Sequence, residues 1–311
     1  MWQSSGDTDA AITLGVTLWG VIWWIFEPSP IPATSLLPMA LLPLFGVLSA
    51  KELGAAYGNP LVLLMLGGFL LATALERSGA HRRIAMYMVR AFGGNSSRRL
   101  VFGFMCASAF LSMWISNTST TLMLLPVALA ALEKSDDAKL AAPLLLGIAY
   151  AASIGGIGTP IGTPPNMVFM GVYTEVTGSA ISFGQWMMWA VPVVLVLLPI
   201  AGFWITRGVS KRGGVALPSS GEWTLAERRV LTVFSVTALL WMTRKGPWGG
   251  WSEWFSLPNA NDAMVAFLAV VALFVIPSGN ANDKGESERL LDWETAERIP
   301  WRMLLQFGAG I

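Results

Sequence analysis

The stretch Ser112-Met113-Trp114-Ile115-Ser116-Asn117-Thr118-Ser119-Thr120-Thr121 places seven polar side chains inside an apolar run, residues 100–111 before it and 122–132 after it. In hydrocarbon an unpaired backbone N–H or C=O costs several kcal/mol, so irregular polar backbone at membrane depth survives only where protein buries it or a watery cavity meets it. Arms of 12 and 11 residues also fall short of the roughly 20 needed to span a bilayer. The spacing therefore predicts a re-entrant hairpin over 100–132: two half-helices joined by a Ser-Asn-Thr tip near mid-membrane. Such a tip offers hydroxyl and amide oxygens to a cation. The start of its second half-helix, with free N–H groups, suits an anion. The competing arrangement is one long helix whose Ser and Thr hydroxyls bond back to their own backbone.

Composition sets the class. Hydrophobic residues make up 54% of 311 and charged residues 13%, well outside the balance of a soluble domain. The chain is therefore expected to be an all-α polytopic membrane protein. A net charge of +1, with charges confined to loops, gives no footprint for nucleic acid. One cysteine, Cys106, permits no internal disulfide and no Cys-built metal site. The single histidine, His81, sits among Arg77, Arg82 and Arg83, where a solvated or headgroup-facing place is expected. A His-based hydrolase or zinc centre is thereby disfavoured. Residues 1–9 are polar and acidic, without the basic start of a signal peptide.

In chain order, residues 10–26 read as a span with Trp19, Trp23 and Trp24 toward one end. Pro28, Pro30 and Pro32 force a non-helical connection. A second span is expected at 34–50, kinked at Pro38 and Pro43, then a polar loop at 51–59, then a third span at 60–76. Residues 77–99 carry Arg77, Arg82, Arg83, Arg90, Arg98 and Arg99, so the positive-inside rule makes this loop cytoplasmic. Ile84, Met86, Met88 and Val89 could lay a short helix there on the membrane surface.

The second informative stretch, Ser153-Ile154-Gly155-Gly156-Ile157-Gly158-Thr159-Pro160-Ile161-Gly162-Thr163-Pro164-Pro165-Asn166, has four glycines and three prolines in 14 residues. It cannot be continuous helix. A broken helix over 141–172 is expected, resuming at 167, and its exposed carbonyls and half-helix ends are the means by which secondary transporters build ion sites. A phosphate-cradling glycine loop lacks the Gly-Lys-Ser/Thr that should follow.

A span at 183–206 leads to a basic linker at 207–229 with Arg207, Lys211, Arg212, Arg228 and Arg229. Spans at 230–242 and 262–276 flank a loop with Trp248, Trp251 and Trp254, read as an interfacial belt. A polar loop to Arg298 follows, and the run from Pro300 to the closing Gly308-Ala309-Gly310-Ile311 starts another helix. It weakly echoes the run at Pro60. Span, span, Gly-containing span thus recurs in opposite orientation, the pattern of inverted repeats. The expected division is a first repeat at 1–206, the linker at 207–229 and an incomplete second repeat at 230–311.

With these motifs in view the chain resembles the divalent anion:sodium symporter family, which includes sodium-coupled dicarboxylate, citrate and sulfate carriers. The matching residues are Trp23-Trp24-Ile25-Phe26-Glu27-Pro28 with Pro30-Ile31-Pro32-Ala33-Thr34, Leu66-Gly67-Gly68-Phe69 with His81-Arg82-Arg83-Ile84-Ala85, Leu111 through Thr118, and Gly155 through Asn166. The resemblance implies an inverted-repeat transporter with Ser112, Ser116, Asn117 and Gly162 as ligands of a first sodium site. It also implies that Asn117, Thr118, Thr163 and Pro164 contact a substrate carboxylate. Na⁺ is the implied coupling ion, a small anion the substrate, and a homodimer in the lipid bilayer the working form, moving by an elevator mechanism. Relatives usually carry one further helix before residue 10 and a second hairpin and broken helix after 311. On that basis this polypeptide is expected to be inactive in transport by itself. A sulfate or oxyanion carrier, a sodium-independent exchanger and a non-transporting scaffold are the alternative functions. A membrane enzyme would need a titratable dyad or metal cluster in the spans, which the sequence lacks.

Overall fold

Proline, glycine and short polar caps set most helix boundaries in the computed structural model, which describes residues 2–93, 96–135, 137–210, 221–246, 249–281, 285 and 287–309. Asp136, most of the linker including Lys211 and Arg212, Trp248, and the closing Gly310-Ile311 lie outside the described residues. The elements are α1 (Trp2–Phe26), α2 (Ile31–Thr34), α3 (Leu36–Leu44), α4 (Ala50–Tyr57), α5 (Pro60–Ser78), α6 (Ala80–Gly93), α7 (Ser97–Ser112), α8 (Asn117–Glu133) and α9 (Ala141–Gly156). They continue with α10 (Pro164–Thr177), α11 (Phe183–Ile205), α12 (Leu225–Thr243), α13 (Trp251–Trp254) and α14 (Asp262–Val275). Last come strands β1 (Pro277–Ala281) and β2 (Ser287–Arg289), then α15 (Trp293–Ala296) and α16 (Trp301–Ala309).

Three stretches among the described residues are long and apolar enough to cross a membrane: Asp7–Phe26, Ala50–Ser78 and Phe183–Ile205. The expected spans at 34–50 and 262–276 become shorter apolar segments, Ile31–Leu44 and Asp262–Val275. Helix α12 carries Glu227, Arg228 and Arg229 ahead of the apolar run expected at 230–242, which is by itself shorter than the roughly 20 residues of a span. The polar loop expected at 51–59 is instead α4. Its capping box explains this, since Ser49 Oγ accepts from Glu52 N–H while the Glu52 carboxylate takes the Ser49 N–H at 2.8 Å. The polar start of the chain, residues 2–9, is likewise helical.

Two compact units divide the chain: Met1–Leu66 with Pro300–Ile311, and Gly67–Ile299. Within the first, α1 packs on α2 and α3, and α16 packs on α2, α3 and α4. The Tyr57 hydroxyl donates to Leu305 O at 3.2 Å, and the Tyr57 ring fills the space that a side chain at Gly308 would need.

The second unit is built around α7 and α9. Gly147 faces Val101 and Met105, Ser108 Oγ donates to Ile148 O at 2.8 Å, and Gly155 rests on the Ala109 backbone. Residue numbers rise together along both helices, so α7 and α9 run parallel. Close approach without side chains is how helices associate where no hydrophobic effect drives them. Helix α8 must then return the chain. Arg98 N–H donates to Ser210 O at 3.2 Å and Ser210 N–H donates to Asp137 Oδ2 at 3.1 Å, so the start of α7 and the connection after α8 meet at one end. Helices α7 and α8 are therefore a helical hairpin, with a four-residue break at 113–116.

Helix α6 exists as expected but does not lay its apolar side on a membrane surface. Met86 and Val89 are buried against α7, where Gly103 meets the Val89 carbonyl and Gly93. His81 is buried too, 6% exposed, and its Nδ1 pairs with Leu75 O at 3.2 Å. The turn at Gly79, with φ +76°, folds the ring back under the end of α5. Burial pushes the His81 pKa down, a trend that the Leu75 carbonyl opposes and Arg82 reinforces. Arg83 Nε reaches Glu227 Oε1 at 2.9 Å, tying α6 to α12. At the far end of α12, Arg244 grips Asp262 through two bonds of 2.5 and 3.0 Å, and Asp262 Oδ2 also accepts the Phe183 N–H at 3.3 Å.

Where a polar loop is expected between α14 and Arg298, β1 and β2 form a small antiparallel ribbon. Arg229 donates to Pro277 O at 2.7 Å and Arg289 to Val275 O at 2.6 Å. Arg289 thus satisfies a carbonyl at the end of α14, and Arg229 one at the start of β1.

Candidate functional site

Both informative stretches break, and the breaks meet. Helix α7 closes with Trp114 N–H and Ile115 N–H both donating to Leu111 O at 2.9 Å. Ser116 then turns extended and caps α8, its Oγ accepting from Ser119 N–H at 3.1 Å, a bond worth about 1 kcal/mol. The polar residues 117–121 are therefore the first turn of a helix, with Thr121 Oγ1 bonding back to Asn117 O at 2.8 Å. The break is held in place from two sides. Trp114 stacks on Phe183 at 6.3 Å and meets Phe234 edge-on at 5.2 Å, while Thr159 Oγ1 donates to Met113 O.

The second break spans only 157–163. Residues 153–156 stay helical because Gly155 is pressed against Ala109, a fit no side chain permits. Helix α10 resumes at Pro164, earlier than the sequence suggested, since Pro164 and Pro165 occupy its first two positions, where no N–H is needed. Asn166 Nδ2 donates to Gly156 O and to Thr159 O, both at 2.8 Å. Trp186 Nε1 donates to Ile157 O at 2.9 Å, and Gly162 N–H is shared by Thr159 O and Oγ1. The unwound backbone is satisfied by side chains, as burial demands.

At the junction, Ser112 Oγ donates to Asn117 Oδ1 at 2.5 Å. A side chain at Gly156 would come within 2.6 Å of Asn117 Oδ1. One at Gly162 would sit 2.5 Å from Gly156 O and 3.0 Å from Ser112 O. Ser112, Asn117, Gly156 and Gly162 thus converge, and Ser116 adjoins Asn117. Ser112 and Gly162 are buried, Ser116 and Asn117 half-buried. This set offers a hydroxyl, an amide oxygen and backbone carbonyls, all hard neutral donors of the kind that suits Na⁺ and similar cations. Among the described residues no three His, Cys, Asp or Glu side chains cluster as a metal centre.

Of the anion-contact candidates, Thr118 is exposed in the first turn of α8, and Thr163 and Pro164 are half-buried where α10 begins. Among the described residues no hydrogen bond joins Thr118 to Thr163. Thr163, although at the N-cap, makes no side-chain cap bond, so its hydroxyl is not committed to the helix. Sequence reasoning did not single out Thr159, Asn166 or Gly156. The signal for the first two was present: a hydroxyl and an amide inside a glycine- and proline-rich break, where freed carbonyls need donors.

Apolar helices of spanning length and two interrupted helices sharing a polar centre define a polytopic membrane protein of the transporter class. The chain belongs to the citrate transporter (CitMHS) family, whose model matches residues 21–311. It is 38% identical over its whole length to the sodium-dependent dicarboxylate transporter SdcS of Staphylococcus saprophyticus, covering 63% of that protein. It is 37% identical, over 97% of its length and 61% of the relative, to SdcS of Staphylococcus aureus strain RF122, and 38% identical over 96% and 60% to that of strain MSSA476. The chain thus spans about three fifths of these relatives. The match fits the resemblance to divalent anion:sodium symporters. It makes the chain a multi-pass protein of the cell membrane from a family of transporters, not enzymes.

Proposed function

We propose that this chain contributes the first repeat of a sodium-coupled symporter for di- or tricarboxylates such as succinate. In this reading the α7–α8 hairpin is re-entrant, opening to the cytoplasmic side, and α9–α10 is the matching broken helix. Ser112, Ser116, Asn117 and Gly162 hold Na⁺. Asn117 and Thr118, with Thr163 and Pro164, meet a substrate carboxylate. A bound Na⁺ together with the starts of α8 and α10 supplies the positive field a dianion needs without arginine or lysine at the site. Residues 1–206 and 230–311 belong to two inverted repeats joined by 207–229, and the working protein is a homodimer in which hairpins and broken helices move as an elevator.

The observation that carries this reading is the convergence of Ser112, Asn117 and Gly162 at one junction. The identity of the SdcS relatives as sodium-dependent dicarboxylate transporters supports the ion and the substrate class. The test is the melting temperature of the purified chain in NaCl against choline chloride, with and without succinate. Na⁺-specific stabilisation that Asn117→Ala abolishes supports the site, because a ligand of the folded state alone must stabilise it. Equal melting in both salts overturns it for this chain. Stabilisation by sulfate instead of succinate would favour the oxyanion carrier.

A further inference from the structure

Helix α11 ends on a strip that the transport reading leaves unused. Phe203 and Trp204 stand exposed at its last turn, 58% and 66% accessible, beneath a flank of equally exposed Val196 and Ile200. The Arg98 guanidinium lies over the Phe203 ring, 5.4 Å from its centre, and the Arg207 guanidinium over Trp204 at 3.8 Å. Arg207, just past the end of α11, and Arg98, from the start of α7, thus lie over two neighbouring rings of the last turn of α11. Arg98 is brought there by its Nε bond to Thr206 Oγ1 at 3.1 Å, and Thr206 is itself fixed by donating to Gly202 O at 2.7 Å. That bond uses Nε only. Among the described residues neither terminal nitrogen of Arg98, and no guanidinium nitrogen of Arg207, has a hydrogen-bond or ion-pair partner.

We propose that this strip binds the headgroup of an anionic phospholipid, its phosphate between the Arg98 and Arg207 guanidiniums and its acyl chains along the exposed side of α11. Charge complementarity selects this occupant: two cations without carboxylate partners, oriented by aromatic rings, at the end of an apolar helix of spanning length. Aromatic side chains with arginine at a helix end are the usual furniture of the membrane interface, and forked guanidiniums match phosphate geometry. The position also links the lipid to the hairpin, since Arg98 begins α7 and its N–H donates to Ser210 O. A lipid seated here clamps the outer end of the first hairpin arm to α11.

The experiment uses the purified chain in detergent, with phosphatidylglycerol, phosphatidylcholine or inorganic phosphate added, read by native mass spectrometry and by melting temperature. Phosphatidylglycerol is expected to be retained and to raise the melting temperature, with phosphatidylcholine and inorganic phosphate doing neither. Arg207→Gln, which removes no hydrogen bond, should weaken retention about fivefold, and Arg98→Gln/Arg207→Gln roughly thirtyfold. Arg298→Gln, at an exposed ion pair with Glu294, should change nothing. Equal retention of the two lipids overturns the proposal, as does unaltered phosphatidylglycerol retention in the double variant. So does stabilisation by inorganic phosphate alone, or a protein–protein contact that the double variant breaks with no lipid present. None of these outcomes depends on sodium or on transport.

Discussion

Ser112 and Asn117 lie on different helices, at the last position of α7 and the first of α8, yet the Ser112 hydroxyl donates to the Asn117 amide oxygen at 2.5 Å. Four residues of chain separate them, and the bond closes the break like a clasp. The Asn117 amide oxygen also faces Gly156, and the Ser112 carbonyl faces Gly162, so a cation taken there draws on an amide that already holds the Ser112 hydroxyl. Ser112→Ala should therefore lower stability by about 1 kcal/mol. Asn117→Ala should do the same and also abolish Na⁺-specific stabilisation. Melting curves in NaCl and choline chloride compare the two directly.

Adjacent glycines should separate fold from site. A methyl at Gly155 collides with the Ala109 backbone, which cannot yield, so Gly155→Ala is expected to destabilise the chain by roughly 1–3 kcal/mol in any salt. A methyl at Gly156 instead meets the Asn117 amide, a side chain that can rotate away. Gly156→Ala should lower stability in choline only by the Ser112–Asn117 bond that the rotation gives up, about 1 kcal/mol, and remove the response to Na⁺. The reverse pattern would place the cation elsewhere.

Asn166 is a one-residue repair of the second break, its amide nitrogen donating to Gly156 O at the end of α9 and to Thr159 O within the break. Asn166→Leu keeps the volume, strands Gly156 O and leaves Thr159 O only the shared Gly162 N–H, at about 1–3 kcal/mol for the buried group left unpaired. Asn166→Asp, with acceptors facing acceptors, should be at least as damaging. Chemical denaturation of the three proteins in one detergent tests the order.

Both breaks were legible because each violates the local rule around it: polar residues inside an apolar run, or glycine and proline inside a helix. Their extents were not. Composition marks ten residues at 112–121, but capping by Ser116 and the back-bond of Thr121 return half of them to helix. Composition marks 153–166, but packing of Gly155 on Ala109 keeps 153–156 helical. Helix α4 was legible and missed, since Ser49 and Glu52 spell a capping box. The β1–β2 ribbon carries no alternating pattern. Its anchors are Arg229, which reaches Pro277 O at the start of β1 from α12, and Arg289 of β2 itself, which reaches Val275 O at the end of α14. Burial of His81 likewise depends on the turn at Gly79 that brings its ring to Leu75 O, a contact that a run of arginines conceals.

The Arg83–Glu227 pair should make stability fall in acid. Burial raises the Glu227 carboxyl, but bonds from Arg83 and from Thr224 outweigh it and hold it below the ordinary 4.5. A depressed acid contributes stability that is complete above the unfolded value and is lost as pH falls through the folded one. Melting temperature should therefore drop below pH 4.5, and Arg83→Met should shrink that drop. An unchanged acid limb in the variant would assign the loss to other carboxylates, Asp292 beside Arg77 first among them.

His81 should produce a separate limb at milder pH. Its folded pKa lies below the ordinary 6.5 because burial disfavours the imidazolium and the nearby Arg82 repels it. The unfolded chain therefore takes up the proton first. Stability is complete above pH 6.5 and declines as pH falls toward the folded value. His81→Gln keeps a donor for Leu75 O and has no charge to gain, so it should flatten the melting curve between pH 6.5 and the onset of the carboxylate limb. Were His81 instead at the headgroups, its pKa would be near or above 6.5, and the substitution would leave that interval unchanged or reverse its slope.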